Sequence, residues 1–310
     1  MKIKVVEEDF KVEEIPKNFE LRTEYLDGYD YVHYLLEKKN WNTLDVVETV
    51  ARRLRINAKS IGYAGNKDKK AVTSQRISIP LSAINNVKDV ENLNIKNCNA
   101  KFLGYCNERI TLGDLEGNKF TIVVRRLDEE RDIQISRIKN YFGQQRFGVD
   151  NKNVLVGKAL LKKDFKKVCS LLGLDVSDNN FVGVLKELDA RVLRLYLGAY
   201  QSFLWNNAAK KVKEVDELEL VGFLTEFQES TKKIYEELMN KEGVKLEDFL
   251  IKQFKEISME GGMRKLHVDV ENFSCSWKDD ELFSGFKKCT MFFSLKKGCY
   301  ATEVVKAIFG

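Results

Sequence analysis

The chain has 310 residues, 44% of them hydrophobic and 32% charged, with a formal net charge of +5. That balance fits an ordinary globular protein and excludes a disordered or low-complexity chain, and at about 150 residues per domain the length predicts two domains. No apolar run approaches the roughly 20 residues of a membrane span, and Lys2, Lys4, Glu7, Glu8 and Asp9 interrupt any apolar leader, so a cytoplasmic protein without membrane contact is expected.

Residues 1–15 and 28–36 read as extended. Thr43 is predicted as an N-cap with Asp45 in the first turn, and Val46, Val47, Val50 and Leu54 share one stripe, so 44–55 reads as a helix. Residues 120–124 read as a buried strand led in by a turn at 115–118. A further helix is predicted over 132–142, where Ile135, Ile138 and Phe142 fall broadly on one side. From 153 to about 264 helical periodicity dominates, through Phe165, Val168, Cys169 and Leu172 and then a long run over 189–212. Residues 226–260 are densely charged with both signs. Strand-like sequence returns at 266–270 and 290–295, followed by a terminal helix after Tyr300. The expected class is α+β: a mixed sheet core built from both ends of the chain, with a mostly helical insertion between them.

Charge is segregated along the chain. Residues 7–48 hold twelve acids and five bases, whereas residues 137–167 hold nine bases and two acids. Residues 52–76 hold eight bases (Arg52, Arg53, Arg55, Lys59, Lys67, Lys69, Lys70 and Arg76) around one acid, Asp68. Basic regions of this kind attract phosphate backbones, because each neutralised phosphate releases counterions. The bland alternative is that such lysines only keep a surface solvated. Asp68 has two matching readings: a turn residue solvated by its lysines, or a carboxylate kept charged by them and aimed at a nucleic acid.

Other site classes fit poorly. Gly62, Gly65 and Lys67 lack the spacing and the hydroxyl residue of a P-loop. The only histidines, His33 and His267, have no cysteine pair near them to make a zinc site and nothing recommends either as a hydrolase base. The six cysteines (Cys98, Cys106, Cys169, Cys275, Cys289 and Cys299) contain no C-x-x-C pair and read as reduced core residues. A second constellation lies at 140–148, Asn-Tyr-Phe-Gly-Gln-Gln-Arg-Phe-Gly. Its aromatics could stack a base, an interaction contributing about 1 to 3 kcal/mol per base. Equally, it could be a helix end with Phe142 and Phe147 in the core.

Together these stretches resemble the tRNA pseudouridine synthase D (TruD) family. Gly65, Lys67, Asp68, Ala71, Thr73 and Gln75 stand at the spacing of its G-x-K-D-x-x-A-x-T-x-Q motif, and 140–148 follows its N-Y-F-G-x-Q-R-F-G. Weaker matches run from Asp9-Phe10-Lys11-Val12-Glu13-Glu14 through Asn42-Thr43, Gly117-Asn118-Lys119-Phe120 and Gln201-Ser202-Phe203-Leu204-Trp205-Asn206 to Gly298-Cys299-Tyr300-Ala301-Thr302. The resemblance implies a pseudouridine synthase core, a mixed and largely antiparallel sheet formed by 1–152 and 265–310, interrupted by a mostly helical TRUD domain at 153–264. It implies isomerisation of uridine to pseudouridine in RNA, typically at position 13 of a tRNA, with no cofactor, no metal and no required oligomer, so a monomer is expected.

By the same resemblance Asp68 matches the catalytic aspartate, and Lys4 the basic residue ahead of the Asp-Phe motif that could pair with it, although Lys2 is close by. Phe142 matches the aromatic that stacks on the flipped uracil and Asn140 the amide that holds the loop or base. Lys67, Lys69, Lys70 and Arg146 are expected to contact RNA. Lys296-Lys297 and Val305-Lys306-Ala307 depart from the pairs common in relatives; the first adds positive charge near the sheet, which bears on RNA docking rather than on the chemistry. The alternatives are a catalytically inactive RNA-binding protein of the same fold, action on other RNAs, and a glycosylase that releases the base.

Overall fold

The computed structural model describes residues 1–25 and 27–310. The chain divides into two compact units, one of Met1–Ser136, Asp269–Ala301 and Val305–Gly310, the other of Arg137–Val268 and Thr302–Val304. Residues 137–152, expected with the sheet core, cluster with the second unit.

In chain order the strands are β1 (Phe10–Pro16), β2 (Tyr31–Lys39), β3 (Gly62–Tyr63), β4 (Val72–Pro80), β5 (Cys98–Cys106), β6 (Leu115–Leu127), β7 (Arg137–Lys139), β8 (Glu217–Leu220), β9 (Gly262–Lys265), β10 (His267–Asp269), β11 (Glu271–Asp279) and β12 (Lys287–Lys296). The first unit is organised on an eight-stranded sheet of order β11-β12-β6-β1-β4-β2-β5, with β3 pairing β4. Among the described residues of this sheet only β1 and β4 run parallel, with Val12 opposite Thr73. The other pairs are antiparallel, as the α+β reading expects.

Alternation in β2 explains how the sheet is covered. Val32, Tyr34 and Leu36 are fully buried and join Val46, Val47 and Val50 of helix α1 (Thr43–Leu54) in one core, together with Ile77 and Ile79 of β4. The apolar stripe of α1 thus lies on one face of the sheet. The helix cap is Asn42, one residue before the predicted one: its side chain accepts from the Asp45 amide at 2.8 Å. Thr43 turns inward instead, which matters for the site below. The predicted turn at 115–118 is ladder, because β6 runs 13 residues and Gly117 and Asn118 pair on both sides with β1 and β12.

The predicted helix over 132–142 is absent. β7 pairs with β10 there, and the Asn140 amide donates to the Leu266 carbonyl at 2.8 Å. Three apolar residues at loose spacing cannot nucleate a helix against backbone bonds of that kind. β11 was not foreseen: its exposed-intermediate alternation carries few large apolar residues to mark it.

The second unit is mostly helical. Its long helix (Ala190–Lys211) buries Leu197, Tyr200, Leu204 and Trp205, and packs with the helices Lys152–Leu161 and Phe165–Leu172 in a single core. The charged stretch beyond 226 contains the helix Glu229–Glu242. The terminal helix is Ala301–Phe309. Among the described residues no helix is long and apolar enough to cross a membrane.

Candidate active site

Residues 64–71 form a loop between β3 and β4, on the side of the sheet that α1 covers. Three inward side chains hold its main chain. Gln75, fully buried on β4, donates to the Gly65 carbonyl at 3.0 Å and accepts from Thr43 Oγ1 at 2.9 Å. Thr43 Oγ1 in turn accepts from the Lys67 amide at 2.9 Å. Lys38 Nζ reaches the carbonyls of Lys67 and Asp68, at 3.5 and 3.3 Å. Gly62 is required on the entering strand, since a Cβ there would lie 2.3 Å from both the Ile110 carbonyl oxygen and Ser78 Oγ.

Lys67 does not face solvent. Its side chain is 6% exposed and its ammonium pairs with Glu14 Oε2 at 2.5 Å, while Glu14 Oε1 accepts from the Arg76 amide. Lys67, expected to contact RNA, is held inward by a carboxylate on β1, where an unpaired charge would be too costly to bury. Lys69 and Lys70 are exposed.

The Asp68 carboxylate is met by Lys4, with Nζ to Oδ2 at 2.6 Å and the side chains 22% and 29% exposed. Lys4, rather than the neighbouring Lys2, takes this place. It does so from a left-handed backbone conformation (φ 54°), with its ammonium 4.0 Å above the Phe10 ring. Asp9 explains how that segment is held. Its Oδ2 accepts from the amides of Val5 and Val6, and its carboxylate is bound by Arg125, which also binds Asp280 at 2.9 Å. The Lys2 and Arg125 main chains exchange two hydrogen bonds of 2.8 Å. The Asp-Phe motif therefore has a definite local meaning: the aspartate fastens the turn that presents Lys4, and the phenylalanine supports the Lys4 cation.

The second cluster belongs to the second unit. Phe142 is half-buried, edge-on to Trp205 with ring centres 5.6 Å apart, and its amide and carbonyl are both bonded by the Asn206 side chain at 2.9 Å. The Arg264 guanidinium lies 4.0 Å from the Phe142 ring centre and donates to Asn140 Oδ1 at 2.7 Å and to the Asn140 carbonyl. Asn140 is buried and also donates to the Lys265 carbonyl at 3.2 Å. Its amide is thus engaged with the loop. Phe147 is buried in the core, as the bland reading of this stretch held, whereas Phe142 sits at the core's edge.

Arg146 is half-buried, with Nε 3.4 Å from Ser202 Oγ. It lies so close to the long helix that a Cβ on Gly198 would come within 2.4 Å of Nη2. The sequence did not single out Lys38, Arg125 or Arg264, since each acts through a partner remote in the chain, and Glu14 stood there only within a weaker motif. Asn206 and Trp205 were visible only as part of a weaker motif. His33 is a core residue, its ring nitrogen bonded to the Glu108 carbonyl and its pKa pushed down by burial.

Comparison with known proteins adds the following. The family model described as tRNA pseudouridine synthase D (TruD) matches residues 1–179 and 209–308. The chain is 29% identical over 382 residues to a probable tRNA pseudouridine synthase D of Methanococcus vannielii, covering 99% of this chain and 95% of that one. It is likewise 29% identical to a probable tRNA pseudouridine synthase D 1 of Methanocaldococcus jannaschii, covering 98% and 94%. In fold it is similar to the crystal structure of a putative tRNA pseudouridine synthase D from Methanosarcina mazei, with a TM-score of 0.75 and 24% identity over 99% of this chain and 93% of that one.

Proposed function

The chain belongs to the tRNA pseudouridine synthase D family, and from that premise we propose that it isomerises uridine to pseudouridine in tRNA, at position 13, with the Asp68 carboxylate acting at ribose C1′. The observation that carries this reading is the part-exposed Lys4–Asp68 pair, 2.6 Å apart, on a loop whose main chain is bonded from beneath by buried side chains. A carboxylate so held is fixed in place yet open to a substrate.

The reaction breaks the bond between C1′ and uracil N1 and forms one between C1′ and C5. N1 gains a proton and C5 loses one, so nothing is consumed. Asp68 assists either by attacking C1′ or by taking the C2′ proton on a glycal route, and Lys4 neutralises the carboxylate between steps. The target base must leave its stack, at a cost of a few kcal/mol. The Phe142–Arg264 pair offers the flipped uracil a stacking surface, with Asn140 holding that loop in shape. Lys69 and Lys70 meet the RNA backbone. Residues 137–268 serve as the inserted domain, beginning earlier than the expected 153. The enzyme works in the cytoplasm as a monomer.

Asp68→Asn is the test. The variant is expected to bind transcribed tRNA like the parent and to form no pseudouridine, read by chemical mapping of the product. Robust product from Asp68→Asn would sink the assignment.

A further inference from the structure

Lys38 is 2% exposed and is among the largest fully buried side chains of the first unit. A buried ammonium normally sits against a carboxylate. This one donates instead to three main-chain carbonyls: Trp41 at 2.5 Å, Asp68 at 3.3 Å and Lys67 at 3.5 Å. Its own backbone is fixed inside the sheet, with Thr73 of β4 on one side and Cys98 of β5 on the other. The cation therefore ties the carbonyl of Asp68 to the rigid part of the fold. That carbonyl and the Asp68 carboxylate leave the same Cα, so fixing one restricts where the other can point.

We propose that Lys38 is a positioning residue for Asp68, holding the loop main chain from beneath so that the carboxylate stands at the working distance from the substrate. The role rests on the reading of Asp68 given above. Thr43 and Gln75 do not substitute for it, because they bond residues 65 and 67 but not residue 68.

The contact is sensitive to protonation. Burial pushes the Lys38 pKa down to about 8; the Asp68 charge acts against this, Lys67 adds to it, and Cys98 opposes it weakly. Lys67 is itself paired with Glu14. Burial pushes the Cys98 thiol up to about 11, so it does not change charge near pH 8 by its own titration. Lys39, the next residue, turns outward to Glu8. Below pH 8 three N–H groups serve three carbonyls. Above it only two remain, and a lone pair meets a carbonyl oxygen. Because the pKa is lowered in the fold, the charged form is the one lost as pH rises through about 8.

Two readouts test this on the full chain. The first is hydrogen exchange of the 67–71 amides, corrected for intrinsic base catalysis. Exchange should quicken between pH 7 and 9 in the parent, and should be quick at both values in Lys38→Met. The second is single-turnover pseudouridine formation on transcribed tRNA. In the parent it should decline as pH rises through about 8, and in Lys38→Met it should slow about 10- to 100-fold, the scale expected from a misplacement near 1 Å, with tRNA affinity unchanged and that alkaline decline gone. Cys98→Ser should keep that decline.

Loop exchange that is indifferent to both pH and Lys38→Met would overturn the proposal whatever the turnover. So would a loosened loop with full turnover. If Lys38→Met does not fold, the pH series on the parent still decides. Product from Asp68→Asn would overturn the function and not the loop contact.

Discussion

Replacing Arg125 by methionine should destabilise the first unit more than any surface change in it. Arg125 is 5% exposed and holds Asp9, 1% exposed, and Asp280, 4% exposed, each through contacts of 2.8 to 3.0 Å. Methionine fills much of the volume but leaves two buried carboxylates without their cation. Removing one partner of a buried pair costs about 3 to 5 kcal/mol. Glu281, the third carboxylate, has a side chain 54% exposed and adds little. At about 2 to 4 °C per kcal/mol for a unit of this size, the melting temperature should fall by about 6 to 20 °C. Thermal unfolding followed by circular dichroism measures it at neutral pH.

Acid should tell the same story. Hydrogen bonds from the Arg126 and Leu282 amides and from Arg125 hold Asp280 below its ordinary value despite burial, and Lys288 chiefly, with Arg125, brings Glu281 down to about 2. Carboxylates lowered in the fold contribute stability that is full above their unfolded values, near 4, and is lost as pH falls through the folded ones. Wild-type stability should therefore drop between about pH 4.5 and 2, and Arg125→Met should flatten that slope. A fall of less than about 3 °C, with an unchanged acid slope, would refute the reasoning.

The lysines of the loop should separate cleanly. Lys69→Ala and Lys70→Ala should each weaken tRNA binding and reduce its salt slope by about 1, with little change in melting. Lys67→Met should leave the salt slope alone and cost about 3 to 5 kcal/mol of stability, since it abandons Glu14, whose side chain is 2% exposed; the reverse pattern would return Lys67 to the RNA. Phe142→Ala should slow single-turnover isomerisation more than it weakens tRNA binding, because stacking matters chiefly for the flipped base. Equal losses in both would leave Phe142 a packing residue at the edge of the core.

Much of this could be read in the sequence because it depends on short-range patterns. The stripe of Val46, Val47 and Val50 located α1, and the two motifs marked the Asp68 loop and the Phe142 loop. What escaped depends on partners far apart in the chain. Asn42 and Thr43 are both good caps, and only the buried Gln75, 32 residues on, decides that Thr43 turns inward. Lys67 looked like its neighbours Lys69 and Lys70, yet the carboxylate of Glu14, 53 residues away, drew it into the interior. The helix expected at 132–142 failed for the same kind of reason, because Leu266 supplies the acceptor that a local helix would have had to replace.

The same distinction divides the motif residues themselves. Asp68 and Lys4 pair with each other and stay part-exposed, while Asp9, Thr43, Gln75 and Asn206 bond main-chain groups or another side chain. A motif shared for the second reason marks geometry rather than chemistry. Asn206 shows the point: one amide closes both the N–H and the C=O of Phe142, so the ring's placement is set by a residue that need not touch the RNA. Lys38 extends the pattern beyond any motif noted in the sequence. It bonds the same loop as Thr43 and Gln75, but with a charge, and burying a charge against carbonyls costs more than burying a hydroxyl or an amide there. An amide could have filled two of those three bonds. The costlier group is understandable where the carbonyl being held is that of Asp68, because its cation also attracts the carboxylate it helps to place.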